Sequence, residues 1–160
     1  MSAAPPREEF MREAIRLAQE GMRRNAGGPF GAVIVRDGQI VGRGWNRVTS
    51  TNDPTAHAEM VAIRDACQRL GSFQLTGCEI FTSCEPCPMC LAAIGWARLD
   101  RVTHAATRGD AAAAGFDDDY LYTQMALSPG ERDRPTEILL RQSGQALFRE
   151  WLLKEDRTPY

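Results

Sequence analysis

One stretch decides how this chain folds: Thr82-Ser83-Cys84-Glu85-Pro86-Cys87-Pro88-Met89-Cys90. Within a helix, proline is tolerated only in the first turn, so Pro86 and Pro88 predict a helix start that directly follows a strand. Cys87 and Cys90 are three residues apart, and residues at that spacing are neighbours on one helix face. The stretch therefore predicts two thiols side by side at the beginning of a helix.

A second stretch, upstream, supplies a partner for these thiols: Pro54-Thr55-Ala56-His57-Ala58-Glu59. A catalytic zinc site has three protein ligands and an open position, whereas a structural site is closed by four protein ligands. One imidazole and two thiolates make three ligands, so the sequence predicts one Zn²⁺ per subunit, held by His57, Cys87 and Cys90. Glu59 is not a ligand in this scheme, and it is the predicted proton carrier.

The cysteine spacing allows other interpretations of the metal site. A Cys-x-x-Cys pair can be half of a zinc knuckle or a redox dithiol. Cys84 and Cys87 have the same spacing, but Cys84 ends the predicted strand, so the pair of Cys87 and Cys90 is favoured. A structural zinc module that binds a partner protein is the non-enzymatic alternative, and it requires a fourth protein ligand.

The predicted site has the chemistry for hydrolytic deamination. Zinc lowers the pKa of a bound water to about 7, and Glu59 can then move protons between that water and a substrate. The expected substrate is a ring carbon that bears an amino group, and the expected products are a carbonyl compound and ammonia. His-x-Glu followed by Pro-Cys-x-x-Cys is the signature of zinc nucleobase deaminases, although it does not identify the base.

Length and composition limit the class of protein. The chain has 160 residues, a net charge of -2 and a pI of about 5.7, which is typical of one globular domain over residues 1–160 and counts against a nucleic-acid partner. No apolar run is long enough to span a bilayer and no signal-peptide segment is recognisable, so we expect a cytoplasmic protein that does not bind membranes. The five cysteines indicate thiols and metal ligands, not a disulfide framework.

Hydrophobic periodicity predicts alternating helices and strands. Strands at 30–35 and 39–48 are joined by the turn signal Asp37-Gly38, and Asp53-Pro54 predicts the start of a helix that ends at Gly71. The remaining predictions are a first helix after Pro5 and Pro6, strands at 78–83, 101–107 and 138–140, a short helical turn at 111–115, a solvated acidic loop at 116–120 and a final helix at 145–154. This order predicts a three-layer α/β/α domain with a five-stranded mixed sheet and parallel pairing after the hairpin.

The two metal-binding stretches resemble those of the cytidine deaminase-like superfamily, and the chain is similar to the short bacterial guanine deaminases over nearly its whole length. The stretches that carry this resemblance are 27–35, 52–59, 82–90, Ala114-Gly115-Phe116-Asp117-Asp118 and the terminal Tyr160. Cytosine, cytidine and tRNA adenosine deaminases share the zinc motif, whereas the Phe-Asp-Asp segment and the terminal tyrosine narrow the resemblance. The resemblance implies a cytidine deaminase-like fold and zinc-dependent hydrolysis of guanine to xanthine and ammonia.

The resemblance also assigns substrate-binding roles that spacing alone does not. From spacing, Phe30 is a core residue and Asn46 is a turn residue. The resemblance implies instead that Asn46 hydrogen-bonds the base and that Phe30 lines the pocket beside it. It further places Asp118 near the exocyclic amine, assigns Ala58 to the substrate site and makes Tyr160 the residue that closes the pocket.

A homodimer is the quaternary structure that the resemblance implies, with the C-terminal segment of about 125–160 swapped between subunits. The expected partner is a small purine base, without nucleic acid. A tRNA adenosine deaminase is the main alternative, and it predicts a basic surface and salt-sensitive RNA binding. A deaminase of smaller bases, such as cytosine, isocytosine or an aminotriazine, is the other alternative, and it differs in pocket size.

Overall fold

Residues 7–160 are described by a computed structural model of the chain. They divide into two compact units, one that ends at Tyr122 and one that runs from Thr123 to Tyr160. The helix start predicted at Pro5 and Pro6 lies outside the described residues. The elements up to the unit boundary are α1 (Arg7–Arg23), β1 (Gly31–Arg36), β2 (Gln39–Trp45), α2 (Val48–Thr51), α3 (Ala58–Leu70), β3 (Cys78–Cys84), α4 (Pro88–Trp96), β4 (Arg101–Ala106), α5 (Arg108–Ala113) and α6 (Asp118–Ala126), which crosses the boundary.

The described residues of the first unit form one mixed sheet of four strands in the order β2-β1-β3-β4. β1 pairs antiparallel with β2 and with β3, and β3 pairs parallel with β4. Asp37 and Gly38 both have positive φ, 50° and 72°, as a two-residue type I′ hairpin requires. The predicted hairpin and the predicted parallel strand-helix-strand unit are therefore confirmed.

Helices cover both faces of this sheet, and the alternation of side chains along β1 explains why. Val33 and Val35 point to one face, where they pack with Phe81 against α1. Ile34 points to the opposite face, where it packs with residues of α3 and α4. A Cβ at Gly31 would lie 2.1 Å from the Ala14 carbonyl oxygen, so glycine is required where α1 touches the sheet. The three-layer α/β/α prediction is confirmed.

The prediction of a fifth strand at 138–140 is wrong. Ile138, Leu139 and Leu140 are 76%, 79% and 73% exposed, and Leu140 has the left-handed φ of 53° that precedes the next helix. A strand needs a neighbour for its backbone hydrogen bonds and a core for its side chains. The apolar composition of these three residues suggested the core, but the first unit completes its sheet without them.

Two further boundaries differ from the predictions for local reasons. α3 begins at Ala58, not at Pro54, because the Asp53 carboxylate accepts hydrogen bonds from the Thr55 backbone and hydroxyl and makes a turn of its own. The acidic run at 116–120 is not wholly a loop, because α6 begins within it at Asp118. Acidic residues in the first turn favour a helix through its dipole.

The second unit contains the end of α6, a 3₁₀ turn (Pro129–Glu131) and α7 (Arg141–Leu153). The Ser128 hydroxyl and the Glu131 carboxylate form a capping box that starts the 3₁₀ turn. The final predicted helix is confirmed with a start four residues earlier, at 141 instead of 145. No helix in the described part of the chain combines the length and the hydropathy that a membrane crossing requires.

Candidate active site

Two helices begin side by side at the candidate site, and each presents a side chain from its N-cap. His57 is the N-cap of α3 and Cys87 is the N-cap of α4, both with extended backbone. N-cap side chains commonly bond to the helix backbone, but neither of these makes such a hydrogen bond. The imidazole and the thiol are therefore directed away from their own helices and toward each other.

The predicted metal ligands converge to a spacing that suits zinc. His57 Nδ1 lies 3.6 Å from Cys87 Sγ, and the ligand atoms of His57, Cys87 and Cys90 all lie within 4.8 Å of one another. A tetrahedral zinc ion with ordinary Zn–N and Zn–S bonds separates its ligand atoms by about 3.5–3.8 Å. Among the described residues, no other group of three histidine, cysteine or acidic side chains has this proximity. The donor set and the geometry fit a zinc ion.

Cys84, the competing cysteine, lies outside this cluster. Its Sγ contacts the Thr107 carbonyl oxygen at 3.4 Å, in the direction of β4. Burial raises the pKa of Cys84 to about 11, which keeps it a thiol at neutral pH. Cys84 therefore has the surroundings of a packed core thiol.

The electrostatics of the cluster favour a thiolate at Cys87. Hydrogen bonding with Cys90, followed by the hydrogen bond with His57, lowers the pKa of Cys87 to about 4. The hydrogen bond with Cys87 raises the pKa of His57, and it likewise raises the pKa of Cys90, together with burial. The N-terminus of α4 adds a positive dipole end beside the sulfur. Thiolates are the form in which cysteine binds metals.

Glu59 lies beside the sulfur cluster in the first turn of α3. Its side chain is 7% exposed, and its Oε2 accepts a hydrogen bond from Cys90 Sγ at 3.4 Å. Burial is the main cause that raises the pKa of Glu59. A raised pKa makes the carboxylate a stronger base, and a side chain that accepts a proton and later returns it is what general acid–base catalysis requires.

A cavity of about 220 Å³ opens onto this cluster. Six of the predicted site residues line it together, namely Phe30, Asn46, His57, Glu59, Cys87 and Asp118. Cys90 is fully buried and is not among the lining residues. Ala58 is also buried, but it packs in the core cluster and does not line the cavity. Tyr160 lies in the second unit, where its side chain is exposed.

The Asn46 side chain is fixed in one orientation by its backbone neighbours. Its Oδ1 accepts hydrogen bonds from the backbone N–H of Gly28 at 3.3 Å and of Val48 at 3.1 Å. Because both hydrogen bonds use the oxygen, the amide NH₂ is the group left to donate to a ligand in the cavity. A Cβ at Gly27 would lie 2.1 Å from this Oδ1, so glycine is required there.

Two aromatic rings and a second acidic residue complete the walls of the cavity. Phe30 and Phe116 meet edge to face, with ring centroids 4.8 Å apart. Such a pair forms an apolar wall against which a flat ring can pack. Asp118, in the first turn of α6, is the second acidic residue. Burial raises the pKa of its carboxyl group.

Sequence reasoning missed Glu85 and Phe116 as cavity residues. Glu85 lies between the strand end and the first proline of the motif, and its Oε2 accepts a hydrogen bond from the Arg108 backbone N–H at 2.9 Å. The sequence signal for Glu85 was its position between the end of the predicted strand and the metal ligand Cys87. Phe116 stood within the Phe-Asp-Asp segment, but no spacing rule distinguished it from a loop aromatic.

Residues 5–106 match the family described as the cytidine and deoxycytidylate deaminase zinc-binding region. A guanine deaminase from Bacillus subtilis is 51% identical over 144 residues, which are 90% of this chain and 92% of that protein. The crystal structure of guanine deaminase from Bacillus subtilis superposes with a TM-score of 0.94 at 47% identity, covering 98% of this chain and 99% of that one.

Two further relatives match a smaller part of this chain or superpose on it less closely. A tRNA-specific adenosine deaminase from Aquifex aeolicus is 41% identical over 100 residues, which are 62% of this chain and 66% of that protein. A guanine deaminase structure from Nitrosomonas europaea gives a TM-score of 0.68 at 30% identity, covering 94% of this chain and 86% of that one.

Proposed function

Because the chain belongs to the cytidine and deoxycytidylate deaminase family, we propose that it is a zinc-dependent aminohydrolase that converts guanine and water to xanthine and ammonia. The resemblance to guanine deaminase extends over nine-tenths of the chain, whereas the resemblance to tRNA-specific adenosine deaminase stops at about six-tenths. Guanine is therefore the favoured base within the family.

Three residues of the chain bind the metal ion in this proposal. His57, Cys87 and Cys90 hold one Zn²⁺ per subunit, and their mutual distances support this assignment. When bound, zinc lowers the pKa of a water molecule to about 7 and so supplies a nucleophile at neutral pH. The remaining work of the reaction belongs to the side chains around the cavity.

Glu59 is the proton carrier in the proposed reaction. It takes the two protons of the consumed water in turn and delivers one to the ring nitrogen beside the amino-bearing carbon and one to the departing amino group, so that the C–N bond breaks, ammonia leaves and a carbonyl remains. The burial that raises the pKa of Glu59 supports this role, because a more basic carboxylate takes a proton from water more readily than one of ordinary basicity.

The walls of the cavity orient the base. The Asn46 amide NH₂ donates to an acceptor on the ring, because its oxygen is already engaged by Gly28 and Val48. Asp118 accepts N–H bonds beside the exocyclic amine of guanine, bonds that the corresponding edge of adenine does not offer. Phe30 packs on the ring, with Phe116 behind it.

One observation carries the proposal: a buried carboxyl group, two of the three zinc ligands and a second carboxyl group that suits a guanine edge all line the same small cavity. The test is to incubate zinc-loaded protein with guanine, adenine, cytosine and a tRNA, and to follow ammonia release. Turnover of free guanine alone is expected. Activity on tRNA alone would keep the zinc chemistry and overturn the substrate, and no reaction with any of the four would favour the structural zinc module.

Residues 1–160 act as one deaminase domain in this proposal, in a homodimer that exchanges the segment of about 125–160. The exposed apolar side chains of α7 support association, because patches of this kind mark protein–protein contacts. They are Leu147, Phe148, Leu152 and Leu153. In such a dimer Tyr160 of one subunit closes the pocket of the other subunit. The expected location of the protein is the cytoplasm.

A further inference from the structure

A hydrogen bond joins α6 to the segment that carries the metal ligands. The Tyr122 hydroxyl donates to the Pro86 carbonyl oxygen at 2.7 Å in a partly buried position. That carbonyl belongs to the peptide bond between Pro86 and Cys87, so the acceptor oxygen is three covalent bonds away from the Cys87 Cα. No site residue proposed above makes this contact, and the reaction does not use the Tyr122 hydroxyl directly.

The Tyr122 ring is held from a second side by Arg108. The guanidinium carbon of Arg108 lies 4.5 Å from the ring centroid, which is the geometry of a cation–π contact. The backbone N–H of the same arginine donates to Glu85, the residue that precedes Pro86. Tyr122 therefore belongs to a closed set of contacts that joins α5, α6 and the segment before Cys87.

Tyr122 and Asp118 occupy the same face of α6. They are four residues apart in a helix, so their side chains are neighbours. α6 has no buried residue, and so core packing does little to set its rotation or its distance from the cavity. The contacts of Tyr122 are consequently specific contacts of α6 with its neighbours, together with the ion pair of Asp119 and Arg108, whose Oδ1 and Nε atoms lie 3.9 Å apart.

We propose that Tyr122 is a positioning residue: by bonding the Pro86 carbonyl it sets the distance between Asp118 and the Cys87 side of the pocket, and so supports recognition of the base. The role in catalysis rests on the proposed deamination of guanine, whereas the placement of α6 does not. A carboxylate that has moved by an ångström binds the N–H edge of the base less well, and such displacements are costly in active sites.

The test is Tyr122→Phe, with Ser72→Ala as the matched control. Tyr122→Phe removes only the hydroxyl and retains the ring that faces Arg108. We expect kcat/KM to fall about tenfold, the usual loss for one partly buried hydrogen bond, with most of the change in KM. Ser72→Ala removes a hydroxyl that likewise donates to a backbone carbonyl, that of Gln74 at 2.8 Å, at a position that neither belongs to α6 nor lines the cavity, and we expect kcat/KM within about twofold of the wild type.

A double-mutant cycle separates positioning from general destabilisation. If Tyr122 acts through Asp118, the loss caused by Tyr122→Phe largely disappears in an Asp118→Ala background. A merely structural role would lower kcat through a smaller active fraction, leave KM unchanged and persist in that background. An effect that persists in this way would overturn the proposal, as would a Tyr122→Phe enzyme that matches the wild type.

Amide hydrogen exchange of residues 116–126 tests the placement without any turnover. Faster exchange at the start of α6 in Tyr122→Phe, and not in Ser72→Ala, is expected because the hydrogen bond to Pro86 is lost. Unchanged exchange would refute the positioning role even if the activity had fallen. The wild-type rate on guanine is measured separately, so a failure of the proposed function is distinguishable from a failure of the Tyr122 proposal.

Discussion

The two units of this chain treat their apolar residues in opposite ways. In the first unit the apolar side chains of β1 and β3 are buried between helices on both faces of the sheet. In the second unit the 3₁₀ turn and α7 have no buried residue, and the large apolar side chains of α7 are exposed. The first unit therefore has a core of its own, whereas the second has an amphipathic helix without one.

This difference suggests separate roles: the first unit carries out the reaction, and the second unit makes contacts between subunits. A site that must hold ligand atoms to within a fraction of an ångström needs rigid supports, and the first unit supplies them as two helix starts on a buried sheet. An exposed apolar helix is a poor support but a good contact surface. We therefore expect substitutions in the first unit to abolish metal binding or chemistry, and changes in the second unit to act on assembly and pocket closure.

The largest expected effect is the loss of the metal itself. Cys87→Ala and Cys90→Ala each remove one of three ligands, so we expect purified protein to lose its zinc and all measurable turnover. Cys84→Ala is the matched control, because it removes a buried thiol of the same motif that lies outside the cluster. Metal content by plasma mass spectrometry checks both. Zinc retained in Cys87→Ala but lost in Cys84→Ala would show that the wrong pair has been assigned.

Removal of the proton carrier comes next in size. Glu59→Gln keeps the shape of the side chain and an acceptor oxygen, so we expect the zinc to remain bound while kcat falls by about 10³-fold, within the range for a general acid–base residue. Glu137→Gln makes the same change in the second unit, at an exposed position, and should leave kcat unchanged. A normal rate for Glu59→Gln would exclude Glu59 from the reaction. It would also contradict the assignment of the proton transfers to the first unit.

A smaller loss is expected when the orienting amide becomes a carboxylate. Asn46→Asp retains the oxygen that accepts from Gly28 and Val48, but it cannot donate to the base. We expect kcat/KM to fall about 10²-fold, since a donor is replaced by a charged acceptor, while the zinc content and the melting temperature stay near the wild-type values. A variant that unfolds would instead assign Asn46 to the fold.

Parts of this arrangement were predictable because they depend on local rules. The cysteine spacing and the two prolines predict a helix start with neighbouring thiols, and α4 begins at Pro88 with Cys87 as its N-cap. Asp37 and Gly38 predict the hairpin turn through their tolerance of positive φ. In each case the residues that determine the structure are adjacent in the sequence, so no tertiary contact was needed to infer it.

Other parts depend on what packs against them, and there the sequence misled. The run at 138–140 has the composition of a strand, yet these residues are exposed and unpaired with the sheet. The sequence predicts the start of α3 at Pro54, which is four residues too early, because it does not show whether Asp53 caps a helix or makes a turn with Thr55. Phe116 became recognisable as a cavity residue only in the structure, whereas Asp118 was predicted by the family resemblance and not by its spacing.

The smallest expected effect tests the second unit alone. Deletion of residues 158–160 removes Tyr160 and should lower turnover about tenfold through loss of pocket closure, with no change in melting temperature or zinc content. A dimer is expected by light scattering for both the full chain and the truncated one, because the exposed side chains of α7 remain. An unchanged rate would show that the C-terminal tyrosine does not close any pocket.

Mixing two defective variants then tests whether the C-terminal segment closes the pocket of its own subunit or that of the neighbouring subunit. A truncated chain has an intact Glu59, and a Glu59→Gln chain has an intact C-terminus. If subunits exchange their C-terminal segments, a mixed dimer has one pocket with both features, so mixing and re-equilibrating the two proteins restores activity above the sum of the separate rates. If each chain closes its own pocket, no mixed dimer contains a complete site and the rates simply add. Restored activity would mean that the second unit lacks a core of its own because its apolar face belongs to the neighbouring subunit.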